Sequence, residues 1–365
     1  MSVRLDIDAT DGAARAGVVH TARGTFRTPC FMPVGTRGTV KTLSSADLET
    51  VGAEVMLANT YHLMLRPGAD VVARLGGIHD FAGWPGHVLT DSGGYQVFSL
   101  SPKVDDDGVT FRSVYDGSTH RLTPEGAVEV QAAIGADIQM VLDVCAPLPS
   151  SPEVLRLAVE RTAAWAVRAK AAHRREGQAL FGIVQGGTDE GLRIESARRT
   201  VEIGFDGYGI GGLSVGEPRD EMLPALAAAI AELPADRPRY LMGVGDPIGL
   251  VEAIAAGVDM FDCVWPTRLA RHGTALTAQG RLRVGTAPFA ADGDPIDASC
   301  PCQACARFSR GYLRHLLQVG EPTAARLLTL HNLTWMFGLV ARARAAVVAG
   351  EMRTFRTEVS AVWGT

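Results

Sequence analysis

The sequence predicts an α/β protein: a (β/α)8 TIM barrel with a β-hairpin insertion and a C-terminal helical subdomain built around a cysteine cluster. Three observations carry this. Eight short apolar runs recur at residues 30–34, 54–58, 87–90, 138–142, 180–184, 207–210, 240–243 and 258–261. Most are too short for helices and show little polar alternation, which suits parallel strands buried on both faces. Helical patterns lie between them, and that alternation favours a barrel over its structural rival, a doubly wound sheet.

The helices have recognisable ends. Residues 124–134 follow Thr123, with Glu125 in the first turn. Residues 152–175 follow Ser151 and place Leu155, Ala158, Val159, Thr162 and Trp165 at helical spacing. Residues 190–203 follow Asp189 and stop at Gly204. Segments 218–233 and 247–256 both begin with proline, and the second stops at Gly257. Asp, Ser and Thr caps, proline at the start and glycine past the end are the ordinary signals. Two stretches stand outside the alternation. Residues 103–123, with turn signals Asp107-Gly108 and Asp116-Gly117, read as a β-hairpin insertion. Beyond Pro266 the chain holds the cysteine cluster and ends in helical patterns. The division expected is residues 1–265 for the main part of the barrel and its active site, and 266–365 for the remainder.

Composition narrows the function classes. With 47% hydrophobic residues in 365, the chain can bury a sizeable core. No apolar run approaches the ~18 residues of a membrane span. The first ten residues carry Arg4, Asp6 and Asp8 with no apolar stretch, so they do not read as a secretory signal, and a cytoplasmic location is expected. A net charge of −5 argues against a protein that binds nucleic acid over its whole surface. Residues 263–320, however, hold seven Arg against three Asp, a local +4. A basic region on an acidic body fits a localised phosphate-binding face, although chance clustering on a solvated surface would look the same.

The polar residues gather at one end of the strands. Asn59 ends the second, Asp91-Ser92-Gly93-Gly94 follows the third, Asp143 the fourth and Gln185 the fifth. Gly211-Gly212 follows the sixth, Gly243-Val244-Gly245 the seventh, and Asp262 the eighth. Barrel enzymes place their chemistry at these C-terminal strand ends. Any one Asp or Gly there could be a turn or cap residue, but the succession points to an active site. Three converging carboxylates suit a reaction at an oxocarbenium-like carbon, and one of them can act as acid or base. Gln185 and backbone N–H groups near Gly212 can read the edge of a flat heterocycle, and Tyr95 can stack on its face. Residues 91–96 (DSGGYQ) lack the lysine of a phosphate loop.

Of six cysteines, Cys30, Cys145 and Cys263 are scattered, whereas Cys300, Cys302 and Cys305 fall within six residues. Three thiolates at this spacing need one further ligand to complete a tetrahedral zinc site, and His315 and His331 are both candidates. Four protein ligands would leave no position for water, so the zinc would be structural and the subdomain a zinc-binding one.

Taken together, these residues resemble the bacterial-type tRNA-guanine transglycosylase (queuine tRNA-ribosyltransferase) family over nearly the whole chain. The matching text includes residues 59–68 (NTYHLMLRPG), 89–96 (LTDSGGYQ), 181–186 (FGIVQG), 204–208 (GFDGY), 240–245 (YLMGVG), 259–264 (DMFDCV) and 266–268 (PTR), with the cysteine cluster and His331. The resemblance implies a pentosyltransferase that exchanges the wobble guanine of tRNAs with GUN anticodons for 7-aminomethyl-7-deazaguanine, in queuosine biosynthesis. It implies Asp262 as the nucleophile at the ribose anomeric carbon, with a covalent enzyme–tRNA intermediate. Asp91 would be the acid/base at the ring nitrogen. Asp143 would accept from the amino edge of the base. Gln185 and the Gly212 amide would bind its carbonyl oxygen, and the Leu213 carbonyl would meet the aminomethyl group. Tyr95 and Met242 would sandwich the ring, with Ser92, Gly93 and Gly94 beside it. RNA contacts are expected at Gly243, Val244, Gly245, Thr267, Arg268 and Arg271. The fourth zinc ligand would be His331 rather than His315. Val215 and Cys145 resemble the bacterial members that use the aminomethyl base, and a homodimer is expected. The chain departs from the family pattern at Val144, where Glu is usual, at His272 in place of Asn, and at Asp246 where Lys is frequent. The last two lie where the RNA backbone would pass.

Two rivals remain at this stage. A barrel glycosidase or metal-dependent hydrolase would use the same carboxylates, but the zinc site is too closed for hydrolysis. A non-catalytic tRNA-binding subunit is the other, and retention of both Asp91 and Asp262 speaks against it.

Overall fold

Eight parallel strands form the centre of the computed structural model, which describes residues 3–100 and 102–364. They are β1 (Cys30–Pro33), β2 (Val55–Ala58), β3 (His87–Thr90), β4 (Ile138–Met140), β5 (Ala179–Val184), β6 (Gly207–Ile210), β7 (Arg239–Leu241) and β8 (Met260–Cys263). Each pairs with its sequence neighbour, and β8 pairs with β1. A parallel bridge between Val34 and Leu57 joins β1 to β2 and closes the ring. All eight predicted strands are present. Seven are buried throughout, and β8 becomes partly exposed only at Asp262 and Cys263. That burial is why the sequence shows apolar runs rather than alternation.

The expected caps are made. Thr123 Oγ1 accepts from the Gly126 amide at 3.1 Å at the head of helix Pro124–Ile134, and Asp189 Oδ1 accepts from Leu192 N at 2.8 Å before helix Glu190–Ile203. Helix Pro247–Ala255, whose expected start signal is its leading proline alone, is also capped by Asp246 through Gly249 N at 2.9 Å. Helix Pro152–Ala172 stops three residues earlier than predicted, because His173 leaves helical geometry in an extended conformation.

Three features go beyond the sequence reading. An antiparallel sheet of Val3–Asp11, Ala14–Thr21 and Gly24–Thr28 precedes the barrel. Arg15 fixes it to the N-terminal end of β8, donating to both carboxylate oxygens of buried Asp259 at 2.8 and 2.5 Å. Arg23 reaches Asp137, just before β4, at 2.8 Å. The sheet therefore covers the N-terminal end of the barrel and leaves the C-terminal end as the mouth. Second, the insertion has three strands, Lys103–Asp105, Gly108–Arg112 and Thr119–Leu122, because each of the two turn signals reverses the chain. Third, a two-stranded hairpin, Thr274–Thr277 with Gly280–Arg283, precedes the cysteine cluster.

The cluster region has its own core, in which Ile296, Ala304, Leu313, Leu327 and Leu328 pack together. The long helix Pro322–Ala349 then runs on into the barrel core, burying Leu330, Leu333, Met336 and Leu339 there. Among the described residues, no helix is long and apolar enough to cross a membrane.

Candidate active site

The mouth of the barrel holds a cleft of about 330 Å³ lined by Asp91, Asp143 and Asp262 together with Ser92, Tyr95, Gly212, Leu213, Met242, Gly243 and Arg268. Seven of the eight strands, all but β5, thus deliver residues from their C-terminal ends to one space, with Val34 after β1 and Asn59 after β2 also on the wall, as expected of this architecture.

Asp91 is buried and heavily hydrogen-bonded. Its Oδ1 accepts from the amides of Thr60 at 2.9 Å and Gly93 at 3.1 Å. Its Oδ2 accepts from Gln96 Nε2 at 3.1 Å and from Asn59 Nδ2. Burial nevertheless outweighs these donors and pushes its carboxyl up to about 6. Asp143 is likewise pushed up to about 6, first by burial and further by the nearby charge of Asp91. Gln185 Nε2, donating at 2.6 Å, opposes that shift. Two carboxyls raised toward neutrality in one cleft are suited to exchanging protons at working pH.

Asp262 is held differently. Tyr240 Oη donates to its Oδ1 at 2.6 Å and the Gly243 amide to the same atom at 2.8 Å. Burial raises this carboxyl too. Cys145 and Cys263 also line the cleft, but burial pushes both thiols up to about 12, so neither is a thiolate nucleophile at neutral pH.

Gly211 and Gly212 are required by close approach. A Cβ at Gly211 would stand 2.8 Å from Gln185 Nε2, one at Gly212 would strike Gln185 Oε1, and Gly212 has φ of +64°. Behind them lies Arg193, fully buried. It donates to the carbonyls of Gly211 at 2.7 Å and Gly212 at 3.1 Å, and to those of Gly187 at 2.7 Å and Val184 at 3.1 Å. After the glycines, Glu217 accepts from the amides of Ser214 and Val215. The strand-end loop is thus fixed from both sides.

The remaining predicted residues take other positions. Gln185 acts behind the cleft wall on Asp143, and Gly94 lies beneath it, where a Cβ would be 3.2 Å from Asp143 Oδ1. Tyr95, 63% exposed, offers an open ring face on the same cleft as Met242. Val244, Gly245 and Thr267 are buried, and Thr267 Oγ1 bonds the Val264 carbonyl at 3.0 Å. Arg268 is exposed at the cleft, and Arg271 is half-buried behind it. Of the departures, Asp246 pairs with Arg219 at 2.9 Å besides capping its helix, and His272 Nδ1 lies 2.7 Å from the Arg268 carbonyl. Val144 packs with Ala146, Leu155 and Val159.

Sequence reasoning missed Gln96, Tyr240 and Arg193 as site residues. Gln96 could have been found from its place beside Tyr95. Tyr240 sits within an apolar run, and Arg193 within a helix whose charges read as solvent-facing, so neither carried a signal.

Cys300, Cys302, Cys305 and His331 form one group whose ligand atoms lie within 4.8 Å of one another, and His315 is not part of it. His331 Nε2 is 2.7 Å from the Leu276 carbonyl. A carbonyl only accepts, so the proton is on Nε2, and the lone pair of Nδ1 faces the sulfurs of Cys305 at 3.2 Å and Cys302 at 3.5 Å. The group is suited to hold a metal ion through four protein ligands.

Comparisons with known proteins agree along the length of the chain. A family model described as queuine tRNA-ribosyltransferase matches residues 9–365. Three relatives carry that same name. That of Pelotomaculum thermopropionicum is 53% identical over 362 residues, 98% of each chain. That of Herpetosiphon aurantiacus is 52% identical over 351 residues, 96% of this chain and 90% of its own. That of Symbiobacterium thermophilum is 52% identical over 368 residues, covering 100% and 92%.

Proposed function

The chain belongs to the queuine tRNA-ribosyltransferase family, enzymes of the pentosyltransferase class, and from that premise we propose that it exchanges the wobble guanine of GUN-anticodon tRNAs for 7-aminomethyl-7-deazaguanine. The observation that carries the reading is the unequal treatment of the carboxylates. Both donors to Asp262 fall on Oδ1, which leaves Oδ2 as the oxygen for bond making, whereas both oxygens of Asp91 are occupied.

Asp262 Oδ2 attacks C1′ of the ribose as the C1′–N9 bond breaks. Protonated Asp91 gives its proton to N9 of the departing guanine, and the RNA is held as an ester on Asp262. The incoming base then returns a proton from the same ring position to Asp91 and attacks C1′, which releases Asp262. A carboxyl near 6 can serve in both directions at neutral pH. Asp143 would accept from the amino edge of the base. The Gly212 amide would meet its carbonyl oxygen, with the second N–H of Gln185 reaching the same atom only if the side chain comes forward from Asp143; the Leu213 carbonyl would meet its aminomethyl group, and Tyr95 and Met242 its faces. Arg268 and Arg271 would contact the phosphates, in the cytoplasm and as a homodimer.

The metal at the cysteine group would be zinc. Three sulfurs and one nitrogen fit its tetrahedral preference, and its part would be to hold the hairpin and helices beside the mouth.

The test is denaturing electrophoresis of the enzyme mixed with tRNA and a base analogue. Wild type should give a shifted, denaturant-resistant band, and Asp262→Ala none while still binding tRNA. Asp91→Ala should be nearly inactive in exchange of labelled guanine. A band of equal strength from Asp262→Ala would move the nucleophile elsewhere, and no guanine exchange by wild type would leave a tRNA-binding subunit.

A further inference from the structure

In the closed ring β8 adjoins β1 and β1 adjoins β2, so the loops that follow these three strands are neighbours on the rim. The first carries Arg268 and Arg271. The second carries Arg37, three residues beyond Val34, which lines the cleft. After β2, Asn59 lines the cleft, helix Thr60–Leu65 follows, and Arg66 ends it.

Arg37 and Arg66 converge on one side chain of the three-stranded insertion. The Arg66 guanidinium carbon is 4.6 Å from the centroid of the Tyr115 ring, and that of Arg37 is 5.4 Å from it. The ring is held in place by His62, whose Nδ1 is 2.9 Å from Tyr115 Oη. Both arginines are exposed. Among the described residues, no carboxylate lies within ion-pairing distance of either, whereas Arg121, Arg198 and Arg356 are each locked onto Asp or Glu. An aromatic face orients a guanidinium without neutralising it, and leaves its N–H edges free. Two like charges drawn to one ring repel each other, and an anion placed against both relieves that repulsion. A structural ion pair would have quenched the charge, and none has been built.

We propose that Arg37 and Arg66, mounted on Tyr115, form a second RNA-backbone site that takes a phosphodiester of the strand flanking the nucleotide in the cleft. The inference rests on the tRNA reading above and extends it. The RNA would follow a track of guanidinium groups from the β8 loop over the β1 and β2 loops. The strand would therefore be held on two sides of the reacting ribose, which fixes C1′ over Asp262. Phosphate contacts of this kind position the strand without reading its sequence.

The experiment compares wild type, Arg37→Ala/Arg66→Ala and Arg268→Ala/Arg271→Ala for tRNA affinity over a range of salt, with binding of free guanine measured alongside. The Arg37/Arg66 variant should bind tRNA about tenfold more weakly at low salt, and its log–log salt slope should be shallower by about one unit. Its guanine binding should be unchanged. Wild-type affinity and slope in that variant would overturn the inference, as would a parallel loss of guanine binding, which would mean the pair supports the cleft instead. If only the Arg268/Arg271 variant weakens, the tRNA reading stands and this inference alone falls. If wild type shows no salt-dependent tRNA binding, the tRNA reading falls with it.

Discussion

Tyr240 donates its hydroxyl to Oδ1 of Asp262 at 2.6 Å from the preceding strand of the barrel, and the Gly243 amide reinforces it on the same atom. Tyr240 is fully buried, and burial together with the Asp262 charge raises its own pKa well above the usual tyrosine value. It therefore remains a donor at any working pH. The pair pins one oxygen of the carboxylate and sets the rotation of the other.

Tyr240→Phe should slow formation of the covalent adduct by about 10- to 100-fold, the weight of one hydrogen bond to a charged group. Affinity for tRNA should be unchanged, since the arginines proposed to contact phosphates lie elsewhere. Single-turnover measurement of adduct formation reads this. A rate equal to wild type would show that Gly243 alone orients Asp262.

The raised carboxyls of Asp91 and Asp143 give a pH dependence with a definite sign. Their folded values, about 6, exceed those of the unfolded chain, so the fold holds these protons more tightly. The stability they contribute is present at low pH and is lost as pH rises from about 4 through about 6. Asp143→Asn removes one buried charge. Its melting temperature should exceed that of wild type at about pH 8, and the advantage should shrink at about pH 5. Guanine binding should move the opposite way in wild type and weaken below about pH 6 as Asp143, the proposed acceptor for the amino edge, loses its charge. A pH-independent difference in melting temperature would mean that Asp143 is not the titrating group.

Arg193 shows where sequence reading stops. The barrel was legible because buried parallel strands leave apolar runs, and the mouth was legible because Asp91, Asp143, Gln185 and Asp262 fall one after another at strand ends. The N-terminal sheet was not, because its anchor to the barrel is the pairing of Arg15 with Asp259, 244 residues apart. The same holds for Arg193. It stands among Glu190, Glu195, Arg198 and Arg199 in a helix that looks solvated, and only the fold shows it turned inward onto four carbonyls.

Arg193→Met should consequently lose more than a surface arginine would. The carbonyls of Gly211 and Gly212 would be left without a donor, at about 1–3 kcal/mol for each buried group left unpaired. The melting temperature should fall, and guanine affinity should fall with it, because the loop proposed to meet the base edge loses its support. Arg193→Lys should recover part of the stability with one or two of the bonds. Guanine affinity equal to wild type in Arg193→Met would separate the loop from base recognition.

Removal of the metal should act through the fold and not through the chemistry. The four ligand atoms come from the segment 300–305 and from His331 on the long helix, whose later turns pack into the barrel core. An ion held there would therefore tie the arginine-bearing segment to the barrel. Cys302→Ala should lose the metal and lower the melting temperature together, since binding free energy at such a site is folding free energy. Chelator treatment of wild type should weaken tRNA binding before it affects guanine binding, because the proposed base site is built from strand ends and the cysteine cluster does not line it. Elemental analysis of wild type should find one zinc per chain. Full metal content in Cys302→Ala would exclude the four-ligand assignment, and loss of guanine binding at the same chelator concentration as tRNA binding would show that the barrel mouth depends on the metal as well.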